Sequence, residues 1–148
     1  MTKRLFPLVL LILVACHSKK KSASDYVNPF IGTGGHGHTY PGVTTPFGMV
    51  QLSPDTRLEG WDGCGGYHYS DNKIFGFSHT HLSGTGIPDY GDVLLMPTSG
   101  ELLLNNGADG NAGYASKFSH KNEIAKVGFY QVFLEDYNIN VELTTSPR

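Results

Sequence analysis

Short segments in which apolar and polar residues alternate dominate the chain after its N-terminal region. The clearest pair lies near the end, where Tyr130, Val132 and Leu134 occupy every second position of segment 128–135. The same spacing recurs in segment 139–145. A period of two residues is typical of a strand with one buried face. The sequence Asp-Tyr-Asn separates the two segments, which together predict an antiparallel hairpin.

Upstream of this hairpin, shorter extended runs are separated by clusters of Gly, Pro, Asn, Asp and Ser. Beyond the apolar N-terminal run, no window shows the recurrence of apolar residues that a helix requires. The pattern therefore predicts an all-β fold, an antiparallel β-sandwich or barrel built from short strands. The further candidate strands are 47–52, 74–77, 93–96, 101–104 and 114–118.

The N-terminus has the features of a bacterial lipoprotein signal peptide. Lys3 and Arg4 precede an apolar run over 5–14, which is too short to span a bilayer. The run ends in Leu-Val-Ala-Cys, which resembles the lipobox, in which the cysteine is lipidated and becomes the mature N-terminus. We therefore expect a signal peptide over 1–15 and lipidation of Cys16. A plain signal peptide with an incidental cysteine is the alternative.

The expected anchor determines where the rest of the protein would lie. Residues 16–25 are basic and Ser-rich, which predicts a flexible, lipid-anchored tether. The protein would then cross the inner membrane and remain as a periplasmic or outer-membrane lipoprotein. With Cys16 lipidated, Cys64 has no disulfide partner in this chain. Three alternatives stay open for Cys64: a buried or cleft-lining thiol, a reactive thiol, or half of a bridge to another chain segment.

Composition narrows the class of protein. The 148 residues carry 11 Lys and Arg against 13 Asp and Glu, so we expect no nucleic-acid partner, which would need a clustered basic face. The length predicts one domain over 26–148. The chain stops directly after its last predicted strand. From this we expect an incomplete sandwich whose uncovered strand edges favour aggregation of the isolated segment.

The dipeptide Trp61-Asp62 is the sharpest candidate for a ligand site. An indole face can stack on the apolar face of a sugar ring, and a neighbouring carboxylate can accept from sugar hydroxyls. The alternative is that the single tryptophan lies in the core. Its glycine-rich and acidic neighbours are not typical of a core, and we therefore predict a polar cleft.

Two further polar clusters are weaker candidates. The glycine-rich segment 28–42 lacks the lysine and the following helix of a phosphate-binding loop, so it is either a ligand-facing loop or a structural one. His79, His81 and Asp89 could form a metal site, or could hydrogen-bond a loop backbone or a sugar. Spacing alone singles out no pair of carboxylates for acid and base catalysis. The residues thus indicate carbohydrate contact without showing catalysis.

Long ordered motifs give the chain a specific resemblance. They begin with DYVNPFIGT and continue with YPG, TPFGMVQLSPDT, WDGC and GYHY. Further matches follow at 76–86, 89–97 and 118–123, so the resemblance covers nearly everything after the tether. The chain resembles the amino-terminal domain of glycoside hydrolase family 92. The local departure is Ile87-Pro88, where a small or polar residue is expected after the glycine.

The resemblance implies an exo-acting, inverting and calcium-dependent bacterial α-mannosidase that acts on mannose-containing glycans. It implies an N-terminal β-sandwich packed on an (α/α)6 barrel that carries the catalytic acid, the base and the calcium ligands, and the barrel is absent from this chain. The sandwich would contribute sugar contacts from Trp61, Asp62, Cys64, Gly34 and Gly35. A non-catalytic carbohydrate-binding sandwich and, less favoured, a small metal-dependent β-fold are the alternative functions.

Overall fold

The computed structural model describes residues 20–147, so the expected signal peptide and Cys16 lie outside the described residues. No helix among the described residues is long and apolar enough to cross a membrane. The described chain contains short 3-10 helices at Ala23–Tyr26, Trp61–Gly63 and His120–Asn122. Its strands are β1 (Val43–Thr44), β2 (Gln51–Asp55), β3 (Lys73–Ile74), β4 (Gly76–Ser78), β5 (Ser116–Lys117), β6 (Glu123–Lys126), β7 (Phe129–Leu134) and β8 (Ile139–Leu143).

All strand pairs are antiparallel, which confirms the predicted fold class. The strands form one sheet in the order β1-β2-β4, a two-stranded sheet of β3 and β5, and a sheet in the order β6-β7-β8. β2 is central in its sheet and yet contains Pro54. Because β1 pairs only with Gln51 and Leu52, Pro54 lies beyond the part of β2 that β1 covers. The missing N–H of the proline therefore interrupts no pairing with β1.

The predicted C-terminal hairpin is confirmed. β7 buries Tyr130, Val132 and Leu134, while the residues between them remain partly exposed. Val132 pairs with Val141 of β8. Asn138 in the connecting turn has φ of 56°, a left-handed conformation that asparagine tolerates better than most residues. Apolar residues on every second position thus direct one face of this hairpin into the core.

The predicted strand over 47–52 is wrong at its start. The Gly48 N–H bonds the Thr45 carbonyl at 2.9 Å, which closes a turn with Pro46 at its second position. Phe47 follows with φ of 64° and its side chain is fully exposed. Proline favours that second position, and the left-handed third position excludes an extended strand. Pairing therefore begins only at Gln51.

Three other predicted strands are shorter than expected or absent. Segment 74–77 is divided between β3 and β4, since Gly76 has φ of 156° and its backbone packs against the Leu94 side chain. Segment 93–96 contributes only a single bridge, between Leu95 and Phe77. Segment 101–104 forms no strand; Leu102 and Leu104 are exposed, and Leu103 is half-buried. Segment 114–118 retains only the two residues of β5.

One hydrophobic cluster joins the three sheets. Val43 of β1 and Phe77 of β4 come from the first sheet, Ile74 comes from the second, and the third supplies most of the remaining members. The cluster consists of Val43, Tyr67, Ile74, Phe77, Phe118, Tyr130, Val132, Leu134 and Leu143. An apolar groove of about 400 Å³ remains open where the first and third sheets meet, between Leu52 and Leu143. The loop that carries Trp61 is attached to this core through Tyr67.

Candidate functional site

A single turn of 3-10 helix presents Trp61 and Asp62 at the surface. The turn follows Gly60, whose φ of 82° belongs to the left-handed region that glycine adopts without strain. The Gly63 N–H donates to the Gly60 carbonyl at 3.1 Å and closes the turn. The Trp61 residue is 61% exposed, so the indole lies outside the core. Asp62 is partly exposed beside it.

The glycine-rich loop is folded back on itself next to this turn. The Thr39 N–H donates to the Gly32 carbonyl at 3.2 Å, which brings the two ends of the loop together. A Cβ atom at Gly37 would lie 1.9 Å from the Gly32 carbonyl oxygen. Only glycine fits at such a close backbone approach. The closed loop carries His36 and His38, one on each side of Gly37, towards Asp62.

Both histidines approach the same oxygen of Asp62. His36 Nδ1 lies 2.6 Å from Asp62 Oδ1, and His38 Nε2 lies 3.5 Å from that oxygen. The hydrogen bond from His36 holds the pKa of the Asp62 carboxyl below its ordinary value. The second oxygen, Oδ2, has no hydrogen bond to any residue of the described chain. Asp62 is therefore an ionised acceptor with one oxygen available to a hydroxyl donor.

The indole of Trp61 is held between a histidine and a glycine. The His38 ring meets the Trp61 ring edge-on, with centroids 4.9 Å apart and planes at 75°. On Gly86, an added Cβ would lie 2.3 Å from Trp61 Cζ3, so the glycine allows the ring to rest directly against the backbone. An exposed aromatic ring with a defined orientation is suited to stacking on a sugar.

The predicted contacts Gly34 and Gly35 lie next to this cluster, on the same loop as His36. His68 Nε2 is 3.1 Å from the Gly35 carbonyl oxygen, and the Tyr69 N–H donates to the Thr33 carbonyl at 2.8 Å. These bonds attach the loop to the segment that follows the 3-10 turn. The two segments that the sequence analysis singled out therefore form one surface.

Cys64 is buried beneath the turn. The thiol Sγ lies 2.6 Å from the Trp61 carbonyl oxygen, and Cys64 is the free cysteine of the described chain. It lines a cavity of about 200 Å³ together with Asp55, Arg57 and Tyr90. Of the alternatives for Cys64, the structure places it as a small buried thiol at the wall of a cavity. It supports the backbone of Trp61 from below.

The structure does not support the alternative metal site. His79 Nδ1 lies 2.7 Å from the Val93 carbonyl oxygen, and His81 contacts Gln51 and Asp55 instead of Asp89. Over residues 20–147, no group of three or more His, Cys, Asp or Glu side chains could hold a metal ion. Asp89 lies in the exposed loop beyond these histidines. The two imidazoles pair with backbone and carboxylate oxygens of this chain.

The sequence analysis missed His36 and His38 as site residues. They lie 26 and 24 positions before Asp62 in the chain, so no local spacing connects them to it. The signal in the sequence was Gly-His-Gly-His, in a loop for which the sequence left both a ligand-facing and a structural role open. The resemblance implies calcium for the whole enzyme, and among residues 20–147 no group of three or more His, Cys, Asp or Glu side chains could hold it.

Comparison with known proteins decides the family. The profile of the glycosyl hydrolase family 92 N-terminal domain matches residues 26–148. The chain belongs to glycosyl hydrolase family 92. The fold also matches that of the family 92 α-mannosidase BT3965 from Bacteroides thetaiotaomicron, with a TM-score of 0.81 and 45% identity. That match covers 88% of this chain and 18% of the other.

Two further relatives agree with the family 92 assignment. The family 92 inverting mannosidase BT2199 from Bacteroides thetaiotaomicron VPI-5482 matches with a TM-score of 0.68 and 35% identity, over 86% of this chain and 17% of that one. An uncharacterized secreted glycosidase from Arthroderma benhamiae is 38% identical over 73 residues, which are 49% of this chain and 9% of the relative. The chain spans less than a fifth of the length of these relatives. It corresponds to the N-terminal domain of a mannosidase-family protein.

Proposed function

We propose that this domain supplies sugar contacts to the active-site cleft of an exo-acting, inverting α-mannosidase that acts on mannose-containing glycans. The observation that carries the proposal is the pairing of an exposed indole with an ionised carboxylate at Trp61 and Asp62. The matched structures of α-mannosidases support the substrate class. Inverting hydrolysis needs a general acid and a general base, which would come from the remainder of the enzyme. Calcium would likewise be held there.

The proposed division of roles follows from the geometry of the cluster. The Trp61 ring is exposed and rests against Gly86, so its remaining exposed surface is available to the apolar face of a mannose ring. Asp62 Oδ2 accepts from a sugar hydroxyl, while His36 keeps the carboxyl ionised through Oδ1. A carboxylate whose pKa is held low is a poor proton donor at neutral pH. Asp62 is therefore a binding residue rather than the general acid.

The test uses a chimeric enzyme in which residues 26–147 replace the matched segment of the mannosidase BT3965. We expect Trp61→Ala and Asp62→Ala each to lower kcat/KM on an α-mannoside by about 10- to 100-fold. A lost stacking contact and an unpaired hydroxyl correspond to roughly 1–3 kcal/mol. Activity should fall without vanishing.

Circular dichroism of each variant is the control that shows whether the chimera has kept its fold. Asp109→Ala, in an exposed loop far along the chain from the cluster, is a matched carboxylate substitution and should leave kcat/KM unchanged. Folded Trp61 and Asp62 variants with parental kcat/KM would make the surface a scaffold and not a sugar site. Complete loss of activity in Asp62→Ala would instead assign a catalytic carboxylate to this domain.

We also propose that the protein is a secreted lipoprotein attached to a membrane through Cys16. The support is the apolar run that ends in Leu-Val-Ala-Cys and the basic, Ser-rich segment after it. We expect Cys16→Ser to release the protein from membranes or to block its maturation, since the thiol that carries the lipid is gone. Membrane fractionation and the mobility of the processed form measure this. Equal fractionation of both proteins would exclude Cys16 as the attachment point.

A further inference from the structure

Two histidines approach the Asp62 carboxylate, and they differ in their exposure to solvent. The His36 side chain is 81% exposed and its Nδ1 makes the hydrogen bond to Asp62 Oδ1. The His38 side chain is only 8% exposed, and its Nε2 has no hydrogen-bond partner in the described chain. Buried polar atoms in proteins are nearly always paired, so this imidazole nitrogen is available to a nearby acceptor.

The geometry identifies that partner. His38 Nε2 faces Asp62 Oδ1 at 3.5 Å, whereas an ordinary hydrogen bond of this kind is about 2.7–3.2 Å long. The same imidazole packs edge-on against Trp61. The backbone of His38 has φ of 54°, a left-handed conformation that histidine adopts more readily than most residues other than glycine. This one residue thus touches both proposed sugar contacts from the protein side.

We propose that His38 is a positioning residue that donates to Asp62 Oδ1 when a sugar hydroxyl binds Oδ2 of the same carboxylate. This inference rests on the proposed sugar contact of Asp62. A hydroxyl that donates to Oδ2 draws the carboxylate towards a new position, and the exposed His36 side chain can follow it or turn into solvent. A movement of the carboxylate by about half an ångström then brings Oδ1 within hydrogen-bond distance of His38 Nε2. The carboxylate keeps one bond to the protein and stays aligned with the Trp61 ring.

His36 and His38 therefore have different roles, although each of them follows a glycine in the sequence. His36 occupies the carboxylate in the free protein, and its removal leaves the sugar contact itself intact. His38 is required when the sugar is bound, because its buried Nε2–H is the donor that fixes the carboxylate, whereas the exposed His36 can turn into solvent. His38 acts through Asp62, and it does not touch the reacting bond.

A double-mutant cycle in the chimeric enzyme tests this coupling. We expect His38→Phe, which keeps an aromatic ring but has no donor, to lower kcat/KM on an α-mannoside by about 10-fold, chiefly through KM. In the Asp62→Ala background, which has no acceptor for His38, the same change should have almost no further effect. His38→Gln, whose amide nitrogen reaches a position near that of Nε2, should restore kcat/KM to within about 3-fold of the parent. His36→Ala should change kcat/KM less than His38→Phe.

A second variant protects the test against misfolding. His38→Asn tolerates the left-handed backbone but is too short to reach Asp62, so it should fold and yet behave like His38→Phe. A purely structural role would give additive losses in the Asp62→Ala background and no recovery by glutamine, and either result would overturn the positioning role. An Asp62→Ala chimera with parental kcat/KM would instead refute the proposed sugar contact. Additive losses would therefore refute the role of His38, whereas an Asp62 variant without any effect would refute the sugar contact itself.

Discussion

Replacing Glu123 with alanine is expected to lower the free energy of unfolding of this domain by about 3–5 kcal/mol, a large part of the stability of a typical domain. The Glu123 side chain is 1% exposed, and its carboxylate is hydrogen-bonded to the side chains of three residues. Tyr67 Oη donates to Oε1 at 2.9 Å, Tyr130 Oη donates to the same oxygen at 2.6 Å, and His120 Nδ1 lies 2.5 Å from Oε2. Alanine would leave the two buried tyrosine hydroxyls without this acceptor.

The location of Glu123 explains why the loss should affect the whole domain. Tyr67 belongs to the segment after the Trp61 turn, Tyr130 belongs to β7, and His120 belongs to the last 3-10 helix. One carboxylate therefore connects the loop that carries the candidate site to the C-terminal sheet. His120 also stacks on Tyr69, with ring centroids 4.2 Å apart, which adds a second contact between the same segments.

The two tyrosines give this cluster a defined pH dependence. Burial, and next the negative charge of Glu123, raise the pKa of Tyr67 and of Tyr130 above the ordinary value. Above pH of about 10 the unfolded chain releases tyrosine protons that the folded domain retains. The folded state then binds more protons than the unfolded state, so stability falls as the pH rises. The stabilisation is complete below pH of about 10 and is lost above it.

Pulse proteolysis of the chimeric enzyme in increasing urea measures the stability of the grafted domain. Glu123→Gln keeps the shape and one acceptor oxygen, so it should lose less than alanine does. Glu142→Ala on the exposed side of β8 is the matched control, with an expected change within about 0.5 kcal/mol. A Glu123→Ala domain that resists protease as the Glu142→Ala domain does would show that the cluster contributes little.

The sequence was most informative where burial and alternation coincide. Tyr130, Val132 and Leu134 recur with the period of a strand, and the structure buries all three. It was least informative where a single residue changes the direction of the backbone. Phe47 is apolar and follows a proline, yet it lies in a turn with its ring in solvent. Propensity averaged over a window cannot distinguish this residue from the first residue of a strand.

The candidate site likewise contains residues that the sequence indicated and residues that it did not. Trp61 and Asp62 were recognisable because an aromatic residue and a carboxylate between glycines are unsuited to a core. His36 and His38 were not assigned, because their approach to Asp62 depends on how a loop closes at Gly32 and Gly37. Contacts between residues far apart in the chain require the fold, and one sequence contains no direct record of them.

The pairing of His81 with Asp55 was missed for the same reason, and it underlies the last prediction. Asp55 is buried at the end of β2, and its Oδ2 accepts from the Ser78 N–H at 2.9 Å. His81 Nε2 lies 3.0 Å from Asp55 Oδ1, and His81 Nδ1 lies 2.7 Å from the Gln51 carbonyl oxygen. Gly66 packs so closely that a Cβ there would lie 2.6 Å from Asp55 Oδ1. The carboxylate therefore supports the wall of the cavity below Cys64.

We expect Asp55→Ala to lower the free energy of unfolding by about 3–5 kcal/mol, because it removes one partner of a buried pair and leaves a backbone N–H without an acceptor. Pulse proteolysis of the chimeric enzyme measures the loss. Asp109→Ala removes a carboxylate that bonds only within its own exposed loop, and it should change the stability by less than about 1 kcal/mol. Asp55→Asn should lie between the two, since its amide oxygen can still accept from Ser78. If Asp55→Ala and Asp109→Ala proved equally stable, the Asp55–His81 pair would have no structural role, and the support of the Trp61 turn would have to come from the Glu123 cluster alone.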